Sequence, residues 1–331
     1  MFVYFTTFFI ISILILTNAV TDAPNAIATL VGTKVMKFKN AAILSAIFNL
    51  LGIIIMSFVN ISVADCISKV ININVDSENI VILLSSMIAV IFFSLIAMKL
   101  GIPTSETHGL IAGLTGSAIA LYGINSVNVL EWKNVIIGLI WSICGSIIII
   151  KILIGLLKNK LEIIKQKYIK NMQIIGCMAM SFMHGAQDGQ KFIGVLIIFL
   201  SIVSKTKISD IINPIENIWN ILFVAIFMFI GVSIGGRNIV KNIGEEMVKI
   251  DNKQALLTDI STAITLLIAS LLGIPVSTTH VKTISIIGIG KLEKQKIEKK
   301  NVIDILKAWI LTFPICGLIG YILTKILIYV N

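Results

Sequence analysis

Ten apolar stretches with short polar segments between them dominate this chain, near residues 2–33, 41–59, 80–98, 101–122, 134–157, 172–203, 218–236, 255–272, 273–290 and 302–330. About 20 apolar residues suffice for one helical crossing of a bilayer core. In lipid, backbone groups must be satisfied internally, which leaves helices as the economical choice. The sequence reads as all-α and polytopic. Composition agrees: 57% of the 331 residues are hydrophobic, 13% are charged, and the mean hydropathy is +0.99. A soluble domain carries about a quarter charged residues. A soluble enzyme, a nucleic-acid-binding domain and a disordered chain are thereby excluded.

The net charge of +10 would suggest nucleic acid in a soluble chain. Here the lysines cluster in short runs between apolar stretches, the pattern of cytoplasmic loops. The surround is membrane lipid and no nucleic-acid partner is expected. Lys34, Lys37 and Lys39 mark the first such loop, and five lysines against Glu162 mark residues 158–171 as the strongest. Segments 237–254 and 291–300 are also net basic, whereas 60–79 is acidic and reads as external. These signs place both termini outside the cell membrane, with five crossings on either side of the lysine-rich linker. The run Phe2–Leu16 lacks a basic leader and a cleavage-like site, so it reads as a first crossing rather than a signal peptide. The four cysteines, Cys66, Cys144, Cys177 and Cys316, are scattered without ligand spacing and read as small apolar residues in helices.

An odd number of crossings per half turns the second half upside down, as in inverted-repeat transporters. The halves would be residues 1–157 and 172–331, joined by 158–171. They share motifs. Gly101-Ile102-Pro103-Thr104-Ser105-Glu106-Thr107-His108 recurs as Gly273-Ile274-Pro275-Val276-Ser277-Thr278-Thr279-His280. More loosely, Asn18-Ala19-Val20-Thr21-Asp22-Ala23-Pro24-Asn25 aligns with His184-Gly185-Ala186-Gln187-Asp188-Gly189-Gln190-Lys191. All 3 histidines and three of the 5 prolines lie in these four segments.

Each segment places helix-breaking or polar residues where an unbroken helix would cost least, so discontinuous helices meeting near the midplane are expected at all four. Stretches 101–122 and 273–290 either span or re-enter. Proline followed by Ser and Thr is a helix-start pattern, and a helix N-terminus offers unpaired N–H groups to an anion. Ser105 and Thr107, with Ser277, Thr278 and Thr279, could converge on one tetrahedral oxyanion. Arg237 is the only arginine, so a cluster of guanidinium forks is not available for that task. Asp22 and Asp188 are symmetric intramembrane carboxylates, which are costly unless functional or paired. With Thr21, Asn25, Gln187 and Gln190 they suit a hard cation such as sodium, a proton being the rival. Thr104, Glu106, His108, His184, Lys191 and His280 are supporting candidates. Lys191 could pair with Asp188 or attract the anion. Asp259 and Lys282 are expected near a helix end or a hydrated cavity. No transition metal and no cofactor are expected.

At these residues the chain resembles the inorganic phosphate transporter (PiT) family. The family's Gly-x-Asn-Asp-x-x-Asn-Ala segment corresponds to Ala19–Ala26. Its His-Gly-Ala-Asn-Asp-x-Gln-Lys segment corresponds to His184–Lys191, and both Pro-x-Ser-x-Thr-His copies are present. Thr21 and Gln187 stand where the family pattern has Asn. The resemblance spans both halves. It implies a homodimeric symporter with an elevator-like cycle, carrying phosphate with sodium or protons, and suggests a PhoU-like accessory protein. Sulfate carriers resemble the same pattern, and an anion channel is a more distant alternative. A membrane hydrolase is disfavoured: HExxH does not occur, and the Gly-x-Ser-x-Gly match at Gly231-Val232-Ser233-Ile234-Gly235 falls at the end of an apolar stretch rather than at a strand-to-helix turn.

Overall fold

The computed structural model describes residues 2–72, 79–100, 104–241, 249–295 and 297–330. The motif residues Gly101, Ile102 and Pro103 lie outside the described residues. The first half contains α1 (Phe2–Thr21), α2 (Pro24–Gly32), α3 (Phe38–Val59), α4 (Ser62–Ser68), α5 (Ile80–Leu100), α6 (Glu106–Tyr122) and α7 (Val129–Ile163). The second contains α8 (Gln166–Ser204), α9 (Ile208–Ile211), α10 (Ile218–Ile234), α11 (Arg237–Lys241), α12 (Asn252–Leu271), α13 (Thr278–Leu292) and α14 (Lys299–Val330). Each of the ten apolar stretches therefore supplies a helix. Seven segments, counting α1 and α2 together, are long and apolar enough to cross a membrane. The other three, α6, α10 and α13, have 17, 17 and 15 residues. At about 1.5 Å per residue α13 covers roughly 22 Å, less than the ~30 Å hydrocarbon core. Stretches 101–122 and 273–290 thus supply short helices that begin inside the protein.

The two helix pairs that carry these starts point in opposite directions. Tyr122 Oη donates to Asn79 Oδ1 at 2.7 Å, so α6 returns to the end where α5 begins. That end also holds the isolated bridge Ile71–Val127. The pair α12–α13 enters from the opposite end, where Asp251, Gln254, Ile289 and Glu293 line one cavity with Lys158. Between α12 and α13 the chain reverses at Gly273, whose φ of +68° is a conformation glycine adopts without Cβ strain. Asp251 caps α12 reciprocally with Gln254, worth roughly 1 kcal/mol to that helix start. The basic segments 34–39, 158–171 and 249–254 share the second end, with Gln173 Nε2 reaching Thr33 Oγ1 at 2.8 Å. Within 158–171, α7 continues to Ile163 and α8 begins at Gln166.

One local expectation fails. The 184–191 segment does not break: α8 runs continuously from Gln166 to Ser204. Proline is missing from it, with Gln190 standing where the first half has Pro24. Its two glycines serve close approach. A Cβ on Gly185 would meet the Asn49 carbonyl at 2.2 Å, and one on Gly189 would meet Ile53 at 2.4 Å. Glycines four apart form one smooth helix stripe that lets α3 pack against α8. Residues 183–199 of α8 are buried on every side, which marks it as the central helix.

Candidate functional site

Four segments converge about half-way along α8: the α1–α2 break, the wall of α8, and the N-termini of α6 and α13. The break leaves Asp22 and Ala23 between helices, with Pro24 opening α2, where its missing N–H costs nothing. Ser105 Oγ caps α6 by accepting from the His108 N–H at 3.3 Å. Ser277 Oγ caps α13 by accepting from the His280 N–H at 3.2 Å. The two starts meet: the His108 and His280 rings are 4.9 Å apart, and Thr107 Oγ1 lies 3.5 Å from the Val276 carbonyl. Thr104, Ser105, Glu106, Thr107 and His108 are all buried, as are Ser277, Thr278, Thr279 and His280.

The two symmetric carboxylates come together. One ligand atom from each of Asp22, His184 and Asp188 lies within 4.8 Å of the others, and all three residues are buried. Their settings differ. Asp22 is held by neutral donors: Thr279 on Oδ1, Thr278 on Oδ2 at 3.2 Å, and Asn25 Nδ2 on Oδ1 at 2.6 Å. Asn25 Nδ2 also reaches Thr279 Oγ1 at 2.8 Å. Asp188 faces an ammonium and an imidazole: Lys191 Nζ lies 3.2 Å and His184 Nε2 3.6 Å from its Oδ2.

His184 is oriented from behind. Asn49 donates its amide to the Ser45 carbonyl and hydroxyl at 2.8 and 3.1 Å. Its Oδ1 is left to accept from His184 Nδ1 at 2.7 Å. With the proton on Nδ1, the Nε2 lone pair of a neutral ring faces Asp188, an arrangement that invites a proton or a cation between them. Two further acceptors, Asp188 Oδ1 and Asn25 Oδ1, are buried without a donor. Such orphaned oxygens beside two carboxylates fit a hard cation. Glu106 adds a third carboxylate within electrostatic reach of Asp22 and Lys191, its Oε1 bonded to Thr21 Oγ1. Three carboxyl groups and the single ammonium of Lys191 thus share the site.

Several anticipated residues face elsewhere. Gln187 Nε2 donates to Ser270 Oγ at 2.9 Å and to the Ile274 carbonyl at 3.4 Å, bracing the α12–α13 turn. Gln190 accepts from Val63 N at 3.2 Å and donates to the Asn60 carbonyl at 2.8 Å, bracing the α3–α4 turn. Thr278 and Thr279, anticipated at the anion, bond the Asp22 carboxylate. Asp259 and Lys282 are fully buried and paired with each other and with Thr29, tying α12 and α13 to α2. The two opposite charges face one another in the interior, with Asp259 Oδ2 left without a donor. Asn49 was missed altogether. Its only sequence signal is an amide within an apolar helix.

A buried, charged site at the meeting point of inverted helical halves fits a transporter embedded in the membrane. The comparisons name the family. The profile of the Phosphate transporter family matches residues 18–167 and again 157–320. The chain is 32% identical over 312 residues to the "Probable low-affinity inorganic phosphate transporter" of Bacillus subtilis, covering 92% of this chain and 91% of that one. A protein of the same description from Rhizobium meliloti is 28% identical over 314 residues, covering 92% and 90%. A solved structure described as "The sodium-dependent phosphate transporter" matches 100% of both chains with a TM-score of 0.88 at 22% identity. That last likeness is one of fold. The chain belongs to the phosphate transporter family.

Proposed function

We propose that this protein imports inorganic phosphate across the cell membrane in symport with a cation, sodium in preference to a proton. The observation that carries the reading is the convergence of Asp22, His184 and Asp188 within 4.8 Å, beside two helix N-termini that meet from opposite directions. A cation bound among these carboxyl groups would offset their charge and so favour the approach of phosphate. Asp22, Asp188, Asn25 and His184 would hold the cation. The first-turn N–H groups of α6 and α13, with Thr107 and the other hydroxyls around them, would receive phosphate. The caps Ser105 and Ser277 keep those turns in place, and Gln187 and Gln190 keep the surrounding turns in place. The sodium-dependent description of the structural neighbour supports sodium, and the names of the curated relatives support phosphate. In this reading 158–171 is the boundary between repeats, the basic ends of the helices face the cytoplasm, and both termini lie outside. The homodimer and a PhoU-like partner belong to the same reading by family resemblance.

The test is radiolabelled phosphate uptake into proteoliposomes under an imposed sodium or proton gradient, with excess sulfate as competitor. Sodium-driven, sulfate-resistant, uphill accumulation is the expected result. Uptake driven by protons alone would reassign the carboxylates to proton transfer. Abolition by sulfate would reassign the cargo, and gradient-independent leak would make the protein a channel.

A further inference from the structure

The two paired helix starts differ at their first residue. α13 opens with Thr278, whose hydroxyl bonds Asp22. α6 opens with Glu106, a buried carboxyl between the cap Ser105 and Thr107. The cap Ser and the following Thr-His pair are the same in both copies. A first-turn acid favours a helix start through the macrodipole. Here it also stands where two N-termini meet, and it adds an acceptor among groups that otherwise donate.

The carboxyl is only half used. Glu106 Oε1 faces Thr21 Oγ1. That hydroxyl has one hydrogen and two further acceptors in reach, the Thr17 carbonyl at 2.8 Å and the Asn18 carbonyl at 3.3 Å. Whether the hydrogen between Thr21 and Oε1 sits on one or the other, Oε2 keeps its lone pairs. Oε2 is buried with no hydrogen-bond partner among the described residues. The Asn18 amide lies beside the same carboxyl yet closes no hydrogen bond to it. Asn18 is fully buried, and its Nδ2 and Oδ1 both lack a partner. One donor and two acceptors are thus unsatisfied together beside the first turn of α6. Leaving such groups buried and unpaired is costly, which points to a polar ligand that reaches them.

A mixed set of this kind tells oxyanions apart. Inorganic phosphate keeps at least one P–OH hydrogen at neutral pH, whereas sulfate has none. Phosphate can therefore meet the amide as an acceptor and the carboxyl as a donor. Sulfate offers only acceptors and would face Oε2 oxygen to oxygen. A site built to bond a ligand's hydrogen rejects the analogue that lacks it, because its own group is left buried and unpaired. We propose that Glu106 Oε2 accepts the P–OH hydrogen of phosphate and so makes the protein select protonated oxyanions over sulfate. The role rests on the phosphate reading above. It also accounts for an acid in one half only: two helix starts and their hydroxyls hold any tetrahedral anion, and one acceptor suffices to read one hydrogen.

The experiment measures equilibrium binding of phosphate, arsenate and sulfate to the purified full chain in sodium, and their competition against labelled phosphate in proteoliposome uptake. Arsenate is a second tetrahedral anion that keeps a hydrogen at neutral pH. The unaltered chain is compared with Glu106→Gln, which keeps the shape of the side chain, and with Glu106→Thr, the residue that opens α13. The expected result is that the unaltered chain prefers phosphate and arsenate to sulfate. Both variants should lose that preference by about tenfold or more, with arsenate still tracking phosphate. Binding reads the ratio even in a variant that no longer moves its cargo. A preference unchanged in either variant, or an equal loss of all three anions, overturns the role of Glu106 and leaves its carboxyl only the helix start. An unaltered chain that takes up no phosphate, or whose uptake sulfate abolishes, overturns the phosphate reading itself.

Discussion

The two aspartate segments occupy equivalent places in the two halves and solve the same problem differently. In the first half the chain breaks, and Asp22 sits between α1 and α2 with hydroxyl and amide donors around it. In the second half α8 is unbroken, and Asp188 stands on its wall between Lys191 and His184 on adjacent turns. The difference separates two roles that symmetry alone would merge. Asp188 belongs to an unbroken helix and is paired with charge, whereas Asp22 is held by neutral donors on two segments, α2 and α13, that could exchange partners. On this view α8 is the fixed side of the site and the break is the side able to respond.

Replacing the carboxylates should break the comparison most strongly. Asp22→Asn and Asp188→Asn are both expected to abolish uptake. Only Asp188→Asn leaves a buried ammonium, Lys191, unpaired, so it should also destabilise the protein by about 3–5 kcal/mol, read as a lowered thermal midpoint in detergent. Adding Lys191→Met to Asp188→Asn should restore the midpoint and leave uptake absent. Equal midpoints for the two single variants would show that the two sites are energetically alike.

Asn49→Ala tests the fixed side through its support. Losing the partner that orients a ligating histidine typically costs about 10–100-fold in cation affinity. The half-saturating sodium concentration should rise by that factor while maximal uptake at saturating sodium is kept. An unchanged sodium dependence would remove His184 from the cation site.

Pro24→Ala tests the responsive side. Removing the ring lets α1 and α2 approach one continuous helix, as α8 is, so uptake should fall roughly tenfold with the fold intact, a barrier change of about 1.4 kcal/mol. Unimpaired uptake would mean that the asymmetry between the halves has no functional weight. The smallest effects belong to the caps. Ser105→Ala and Ser277→Ala should each cost about 1 kcal/mol, equally on the two short helices, and the double variant should lose uptake. Wild-type-like uptake by the double variant would remove the helix starts from the anion site.

Much of this was legible in the sequence because its causes are local. Apolar stretches of crossing length announce helices, lysine runs mark one end, and Pro24 opens a helix after a break. Ser105 and Ser277 begin short helices because a hydroxyl at that position caps a free N–H wherever it occurs. The repeated motifs located the buried site. The parts that were not legible depend on partners distant in sequence. Gly185 and Gly189 resemble breaks until Asn49 and Ile53 are seen pressed against them. Asp259 and Lys282 pair from neighbouring helices, and Gln187 and Gln190 are drawn to the carbonyls of turns that only the packed helices bring near.

The sequence by itself therefore determined the class, the helices, the repeat and the list of polar residues committed to the interior, because hydrophobicity, proline and capping act over a few neighbouring residues. Tertiary structure alone decided which of those residues face one another: Asp22 against Asp188, Thr279 against Asp22, Asn49 against His184. Inside a membrane protein every buried polar atom competes for a small number of partners, and which competitor wins is set by how the helices pack.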